Sequence, residues 1–441
     1  MDILIMIGQL VLSLSILIIL HEMGHFIPAR LFGTRVEKFY LFFDAGFSLF
    51  KKKIGETEYG IGWLPLGGYV KIAGMIDESF DKEQMAQPPQ PWEFRTKPAW
   101  QRLIIMLGGV TVNFILGFFI YGMVLWVWGE EYLPADKVTE GIYVDSLGME
   151  LGLQDGDKII SIGDTPFDQF NDRQLIHAIS IENADHIKVN RNNEVIDLPV
   201  SDEWANKLIS HDNKDKAIFG PRMLFIADSI ITDSPADKAG MLKNDRIISL
   251  NDQSVPYFHE FAKAVGGLKE TPVKVGVIRN QTDTLSFNMT TTKNGTIGVA
   301  PIGFEFERID YTFGASIPAG FTKGISFLTT QLKAFGQMFR GNIDASESLG
   351  GFASIGKMFG AQWNWERFWL MTAILSLILA FMNLLPIPAL DGGYVMFLIF
   401  EVVTGIKPSD KVIEVANTIG FVLVLGLLLY ANGLDIVRAW F

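Results

Sequence analysis

Two histidines four residues apart enclose a glutamate in the segment His21-Glu22-Met23-Gly24-His25. On a helix this spacing puts both imidazoles on one face, one turn apart, which suits neighbouring positions around a tetrahedral zinc ion. Glu22 is then placed to take a proton from an attacking water. In a chain of 441 residues a chance match arises on the order of one time in a hundred, so position must carry the argument. The motif closes the apolar run Ile3 to Leu20 and is followed by Phe26-Ile27-Pro28-Ala29. At membrane depth an ionisable side chain costs roughly 2 to 3 kcal/mol or more, which a bound cation would offset. The plainer alternative is that the motif is only the polar end of a span meeting water.

The chain contains no cysteine, which excludes disulfides, thiolate-bound metal and a cysteine nucleophile; any metal must use His, Asp or Glu. The other histidines, His177, His186, His211 and His259, fall in a long middle segment expected across the bilayer from His25, so a carboxylate is expected as the third ligand. Asp391 stands out in Asn383-Leu-Leu-Pro386-Ile-Pro388-Ala-Leu-Asp391-Gly-Gly393, where two prolines break a helix and glycines permit close backbone approach. Irregular backbone at that depth is tolerated only against protein or a water-filled cavity. Glu401, on a regular apolar stretch, is a weaker rival, and an ordinary loop with an Asp-Gly turn is the bland reading of Asp391.

The elements that must position these residues are apolar. Four stretches have spanning length: Ile3 to about Phe32, Leu103 to about Trp128, Phe368 to about Leu385, and Val412 to about Tyr430. The first lacks a basic n-region and a small-x-small cleavage site and is expected to be retained. Cations crowd the loop between the first two spans (Arg30, Arg35, Lys38, Lys51, Lys52 and Lys53 among them), which predicts that loop on the cytoplasmic side, with both termini and the long middle segment outside. Its pieces Val36 to Leu49 and Tyr59 to Ile72 read as short strands and turns, either offering an edge to an extended peptide or merely packing under the helices. A net charge of −12 argues against nucleic acid as a partner, because phosphate binding needs a clustered basic surface.

The middle segment repeats itself. Gly152-Leu-Gln-Asp-Gly-Asp157-Lys-Ile-Ile-Ser-Ile-Gly-Asp164 matches Gly240-Met-Leu-Lys-Asn-Asp245-Arg-Ile-Ile-Ser-Leu-Asn-Asp252, 88 positions on, so two copies of one small α+β module follow each other. Each copy reads as turn, strand, turn and amphipathic helix. The second is led by Ser234-Pro-Ala-Asp-Lys-Ala-Gly240; the first lacks that lead and is looser. These copies resemble the PDZ family, whose members bind peptide ends by strand addition.

Taken with their order, His21-Glu22-x-x-His25 in the first span and Asn383-x-x-Pro386-x-Pro388-x-Leu-Asp391-Gly in the third resemble the site-2 protease family of intramembrane zinc metalloproteases. With two PDZ-like modules between the second and third spans, the likeness is to the regulator-of-sigma-E (RseP) type of Gram-negative bacteria. It implies that His21, His25 and Asp391 hold one zinc ion and that Glu22 is the catalytic base. Gly109-Val-Thr-Val-Asn113 in the second span matches as well, and the resemblance implicates Asn113 and Asn383 in substrate handling; for Asn113 a packing hydrogen bond between helices is the alternative. Asn383, Pro386 and Pro388 are expected to shape the site. Departures are confined to the degenerate first module and a polar insertion, Asp77 to Pro91.

The fold expected is a polytopic α-helical membrane protein of four transmembrane helices, with two tandem α+β PDZ-like domains and a cytoplasmic-side β-rich loop. The expected boundaries are a first span with the zinc motif (1–31), the loop with β-hairpins (32–99), a second span (100–128), two PDZ-like domains (129–211 and 212–303) and a membrane-surface linker (304–362). The third span (363–386), an Asp-Gly loop with a short apolar helix (387–411) and the fourth span with the C-terminus (412–441) follow. The expected activity is cleavage of transmembrane segments of single-span membrane proteins, such as anti-sigma-factor-like regulators and remnant signal peptides, after ectodomain shedding. The setting is a bacterial inner membrane with modules and termini periplasmic; partners are those substrates, membrane lipid and candidate peptide ligands of the modules. Two rival functions are a PDZ-bearing scaffold with a non-catalytic metal site and a transporter with an intramembrane ion relay. The second would be expected to show inverted repeats of spans. Prenyl-protein proteases, the nearest enzymatic rival, lack the Asn-x-x-Pro-x-Pro-x-Leu-Asp signature.

Overall fold

The computed structural model describes residues 2–65, 67–75, 87–210, 212–213 and 216–440. His211 and most of the insertion Asp77 to Pro91 lie outside them. Two units separate: residues 1–129, 310–332 and 349–441 form one, and 130–309 with 333–348 form the other.

The first unit carries four helices long and apolar enough to cross a membrane: α1 (Asp2–Leu31), α2 (Ala99–Trp128), α5 (Trp365–Leu384) and α7 (Asp410–Trp440). Backbone hydrogen bonds must be closed within a segment in hydrocarbon, which makes uninterrupted helices the solution here. Where α1 and α2 cross, both contribute glycine: a Cβ on Gly24 would lie 2.5 Å from the Gly108 carbonyl oxygen, so the backbones touch. Polar groups on α1, α2 and α5 turn inward and satisfy one another. Ser13 Oγ lies 2.9 Å from Thr372 Oγ1, and the Ser376 hydroxyl donates to the Asn113 carbonyl at 2.7 Å. α5 begins at a capping Asn364, whose side chain accepts the Arg367 amide, and ends at Leu384 before Pro386. α6 (Asp391–Thr404) starts six residues beyond Leu385, so Asp391 opens a new helix rather than standing in an irregular loop.

Between α1 and α2 lie four strands, β1 (Val36–Leu41), β2 (Phe43–Ile54), β3 (Thr57–Leu64) and β4 (Tyr69–Ile72), in the order β2-β3-β1-β4. β1 and β3 run parallel, and the other pairs antiparallel. Within Tyr59 to Ile72, expected as short strands and turns, β3 is paired on both sides and the β4 part is at an edge among the described residues. The segment 304–362, expected as a surface linker, contains helix α3 (Phe313–Arg340) and helix α4 (Phe352–Phe359). Phe313 meets Trp126 and Phe321 meets Phe118, with ring centroids 5.3 and 4.8 Å apart, so the first half of α3 lies against α2.

In the second unit the two copies build separate apolar cores. The first has a sheet of Glu194–Pro199, His186–Arg191, Lys158–Ile162 and Thr165–Pro166; the second repeats it with Asp283–Thr290, Pro272–Arg279, Arg246–Leu250 and Gln253–Ser254. Each also pairs its opening strand with its closing one, Ile142–Val144 with Phe219–Pro221 and Ala227–Ile230 with Val299–Pro301. The first module therefore reaches residue 221, ten beyond the expected boundary at 211, because Ile218 and Phe219 are buried in its core. A short helix Ser146–Glu150, capped by Asp145, stands where Ser234 caps Pro235–Lys238, so the lead absent from the first copy's sequence is present in its structure. The 88-residue repeat extends to a buried ion pair. Arg191 Nε and Nη2 donate to Asp157 at 2.7 Å each, and Arg279 donates to Asp245 at 2.7 and 2.8 Å. Each arginine also donates to the glycine carbonyl that opens its repeat, Gly152 or Gly240.

Candidate metal centre

The uninterrupted α1 carries His21, Glu22 and His25 into the interior, with Glu22 and His25 buried. Asp391, at the first turn of α6, reaches the same point: its Oδ2 lies 3.2 Å from His21 Nε2 and 3.3 Å from His25 Nε2, and the two imidazole nitrogens are 3.2 Å apart. A tetrahedral ion bound at about 2.0–2.1 Å needs donor atoms roughly 3.3–3.4 Å from one another, so this near-equilateral triangle has the right size. Among the described residues it is the one group of three such ligands.

The chemistry of the donors agrees with the geometry. His25 Nδ1 is 2.8 Å from the Ile105 carbonyl of α2. A carbonyl only accepts, so Nδ1 carries the proton and Nε2 presents a lone pair. Asp391 Oδ2 is buried without a hydrogen-bond donor. Lone pairs converging at this distance repel unless a cation lies among them, and zinc fits the donor set of two imidazoles and a carboxylate.

The second span supplies the wall and the outer contacts. A Cβ on Gly109 would overlap His25 Nε2 and lie 2.6 Å from His21 Cε1, so glycine is what leaves room for the two imidazoles. The Asn113 amide lies 3.1 Å from His21 Nδ1, and the Asn383 amide 3.5 Å from His21 Nε2. Pro388 packs under α6, where a Cβ on Gly393 would lie 2.6 Å from Pro388 Cα; Pro386 precedes it in the same turn between α5 and α6. Glu22 accepts a hydrogen bond from the Val70 amide of β4 and lies near His21, His25 and Asp391. Among the described residues β4 is the edge strand of its sheet, and its Val70 amide meets Glu22. Glu401, the rival ligand, is engaged elsewhere: Arg102 Nη2 donates to it at 2.5 Å, tying α6 to α2. His177, His186 and His259 belong to the second unit. Sequence reasoning missed the Ile105 carbonyl, the Val70 amide and Arg102. The first two are backbone groups without a side-chain signature, whereas Arg102 was legible as a cation at the mouth of a span.

A profile of peptidase family M50 matches residues 9–427. The chain belongs to peptidase family M50. It is 28% identical to the "Regulator of sigma E protease" of Haemophilus influenzae over 98% of both chains. It is 27% identical to the "Protease RseP" of Yersinia pestis, again over 98% of each. A "Putative zinc metalloprotease" of Neisseria meningitidis is 26% identical, covering 97% of this chain and 98% of its own. The chain is a zinc metalloprotease of the site-2 type, and the partly buried triangle of His21, His25 and Asp391 is its candidate metal centre.

Gly109→Ala is expected to cut the zinc affinity of this peptidase by ~10-fold or more by pushing the imidazoles apart, the range seen when groups around a metal site are disturbed. Metal content after dialysis against a chelator checks it, and wild-type retention in the variant would show that Gly109 does not bound the site.

Proposed function

We propose that this peptidase cuts transmembrane segments of single-span membrane proteins, using His21, His25 and Asp391 to hold one zinc ion and Glu22 as the base. The observation that carries the proposal is the meeting of a base and two imidazoles on a helix of spanning length with the Asp391 carboxylate at the start of α6, where the accessible peptide bonds are those of other membrane segments. When bound, zinc supplies a Lewis acid that acidifies water and polarises a carbonyl. Glu22, one residue from His21 and held by the Val70 amide, takes the proton of the attacking water and delivers it to the leaving amine. The Ile105 carbonyl keeps the Nε2 lone pair of His25 aimed inward. Asn113 serves His21 similarly: with its Oδ1 turned to Nδ1 it accepts that proton, which also satisfies an oxygen otherwise buried without a partner. Asn383, beside His21, and the two prolines shape the space for the reacting peptide.

A helical substrate hides its amides in its own hydrogen bonds and has to be unwound before attack. The free edge of β4 can take it up as an added strand. Among the described residues this edge strand carries the Val70 amide that meets Glu22, and Phe43 and Tyr69 stack beside it. The two modules of the second unit act as PDZ-like domains on the periplasmic face of the inner membrane, where they exclude substrates that still carry bulky ectodomains. The cation-rich loop 32–99 lies on the cytoplasmic side, and both termini are periplasmic. Anti-sigma-factor-like regulators and remnant signal peptides fit this substrate class.

Glu22→Gln should lower cleavage of a purified single-span substrate by roughly 10²–10⁴-fold while zinc stays at the wild-type level. Cleavage at the wild-type rate would remove Glu22 from the mechanism, and a variant that still captures substrate without cutting any would separate catalysis from a scaffold role. Because the chain has no cysteine, Tyr69→Cys in the Glu22→Gln background can be crosslinked to single-cysteine substrates. Strand addition predicts crosslinks at alternate substrate positions around the scissile bond; a helical periodicity or none would rule out pairing on β4.

A further inference from the structure

The fourth spanning helix touches the rest of its unit at few places. Of its described residues between 411 and 438 only Ile413, Gly420, Ala431 and Asp435 are buried, whereas Ile419, Val422 and Leu423 are more than half exposed. One of those places is the turn that delivers Asp391. A Cβ on Gly420 would overlap the carbonyl group of Pro388 and lie 2.9 Å from the proline's own Cβ, so the backbone of α7 rests directly on that turn. One helical turn earlier, Asn417 Oδ1 accepts the amide of Ala389 at 3.4 Å. Ala389 stands at φ +76°, a left-handed conformation that a residue bearing a Cβ adopts only under constraint. It lies two residues before Asp391, so relaxing it to ordinary φ would swing the start of α6 and the carboxylate with it.

Resting on the zinc reading of the site, we propose that α7 is a positioning element for the third metal ligand: Gly420 and Asn417 clamp Pro388 and Ala389 so that Asp391 meets His21 and His25. The first two ligands need no such help, because α1 holds them in one helix against Gly109. Asp391 begins a helix that follows six residues without regular structure, and its position is set by what presses on that turn. Gly393 and Gly392 bound it from α6, where a Cβ on Gly393 would lie 2.6 Å from both the Ile387 carbonyl oxygen and Pro388 Cα. α7 bounds the other side. At its far end the same helix holds α4: Asp435 accepts the amide and hydroxyl of Ser354, and Asn432 Oδ1 accepts the Phe352 amide. This second grip fixes the height of α7, and with it the level at which Gly420 meets Pro388.

The test uses full-length protein in detergent and measures bound zinc, its loss rate to a chelator and the visible spectrum of the cobalt-substituted form. Gly420→Val should lose metal at least ~10-fold faster than wild type and show an altered cobalt spectrum, with Gly420→Ala in between. Asn417→Leu should weaken metal retention, and adding Ala389→Gly should restore it, because glycine holds φ +76° without strain. A simple packing defect would not be repaired by a glycine 28 residues away in sequence. Val422→Ala, on the exposed face, should behave as wild type. If Gly420→Val fails to fold, the Asn417→Leu pair with and without Ala389→Gly decides the matter. Wild-type zinc kinetics in Gly420→Val or Asn417→Leu would overturn the proposal while leaving the zinc reading intact, whereas zinc-free wild-type protein would overturn the reading beneath it.

Discussion

Three electron-rich atoms held about 3.2 Å apart inside a bundle of spanning helices form an arrangement that a protein interior does not tolerate without a positive charge among them. Much of the first unit follows from bringing those atoms together and keeping them there. A helix without interruption brings two of them, since residues four apart share a face. The third comes from far along the chain and has to be carried to the same point by a turn, a new helix and the neighbours that press on both.

Close backbone contact is the means by which this is done. Gly24 against Gly108 lets α1 and α2 approach until Ile105 and Asn113 stand beside the imidazoles, and Gly109 leaves the space that His21 and His25 fill. Between helices already surrounded by apolar tails, burial contributes little to association, so contact at glycine and inward hydrogen bonds such as Ser376 to Asn113 carry more of the cohesion. The Arg102–Glu401 pair fastens the far part of α6 to α2 in the same spirit. Rigid supports of this kind are what a metal site needs, because ligand atoms must be held to within a fraction of an ångström.

The residues that meet at the centre were legible in sequence because their types are rare at membrane depth: His21, Glu22, His25 and Asp391 each contradict their apolar surroundings. The spans were legible from length and hydropathy, and the repeat from its 88-residue register, which the Asp157–Arg191 and Asp245–Arg279 pairs continue beyond the matched segment. Non-local pairing was not legible. Nothing local in Phe219–Pro221 says that it closes a sheet opened at Ile142, and nothing in Tyr59 to Leu64 says that β3 is enclosed on both sides. Backbone partners such as the Ile105 carbonyl leave no mark in a sequence. Glu401 has the residue type of a ligand, and only its pairing with Arg102, which is non-local in sequence, sets it apart.

The central claim is that two imidazoles and the Asp391 carboxylate together bind zinc. Zinc X-ray absorption on the purified full-length protein and on Asp391→Ala tests it most directly. The account predicts a low-coordinate shell of nitrogen and oxygen at about 2.0–2.1 Å with multiple scattering from two imidazoles in the wild type. In Asp391→Ala it predicts loss of the metal or of one oxygen from that shell. A wild-type shell with one imidazole or three, or a shell unchanged when Asp391 is removed, would contradict it.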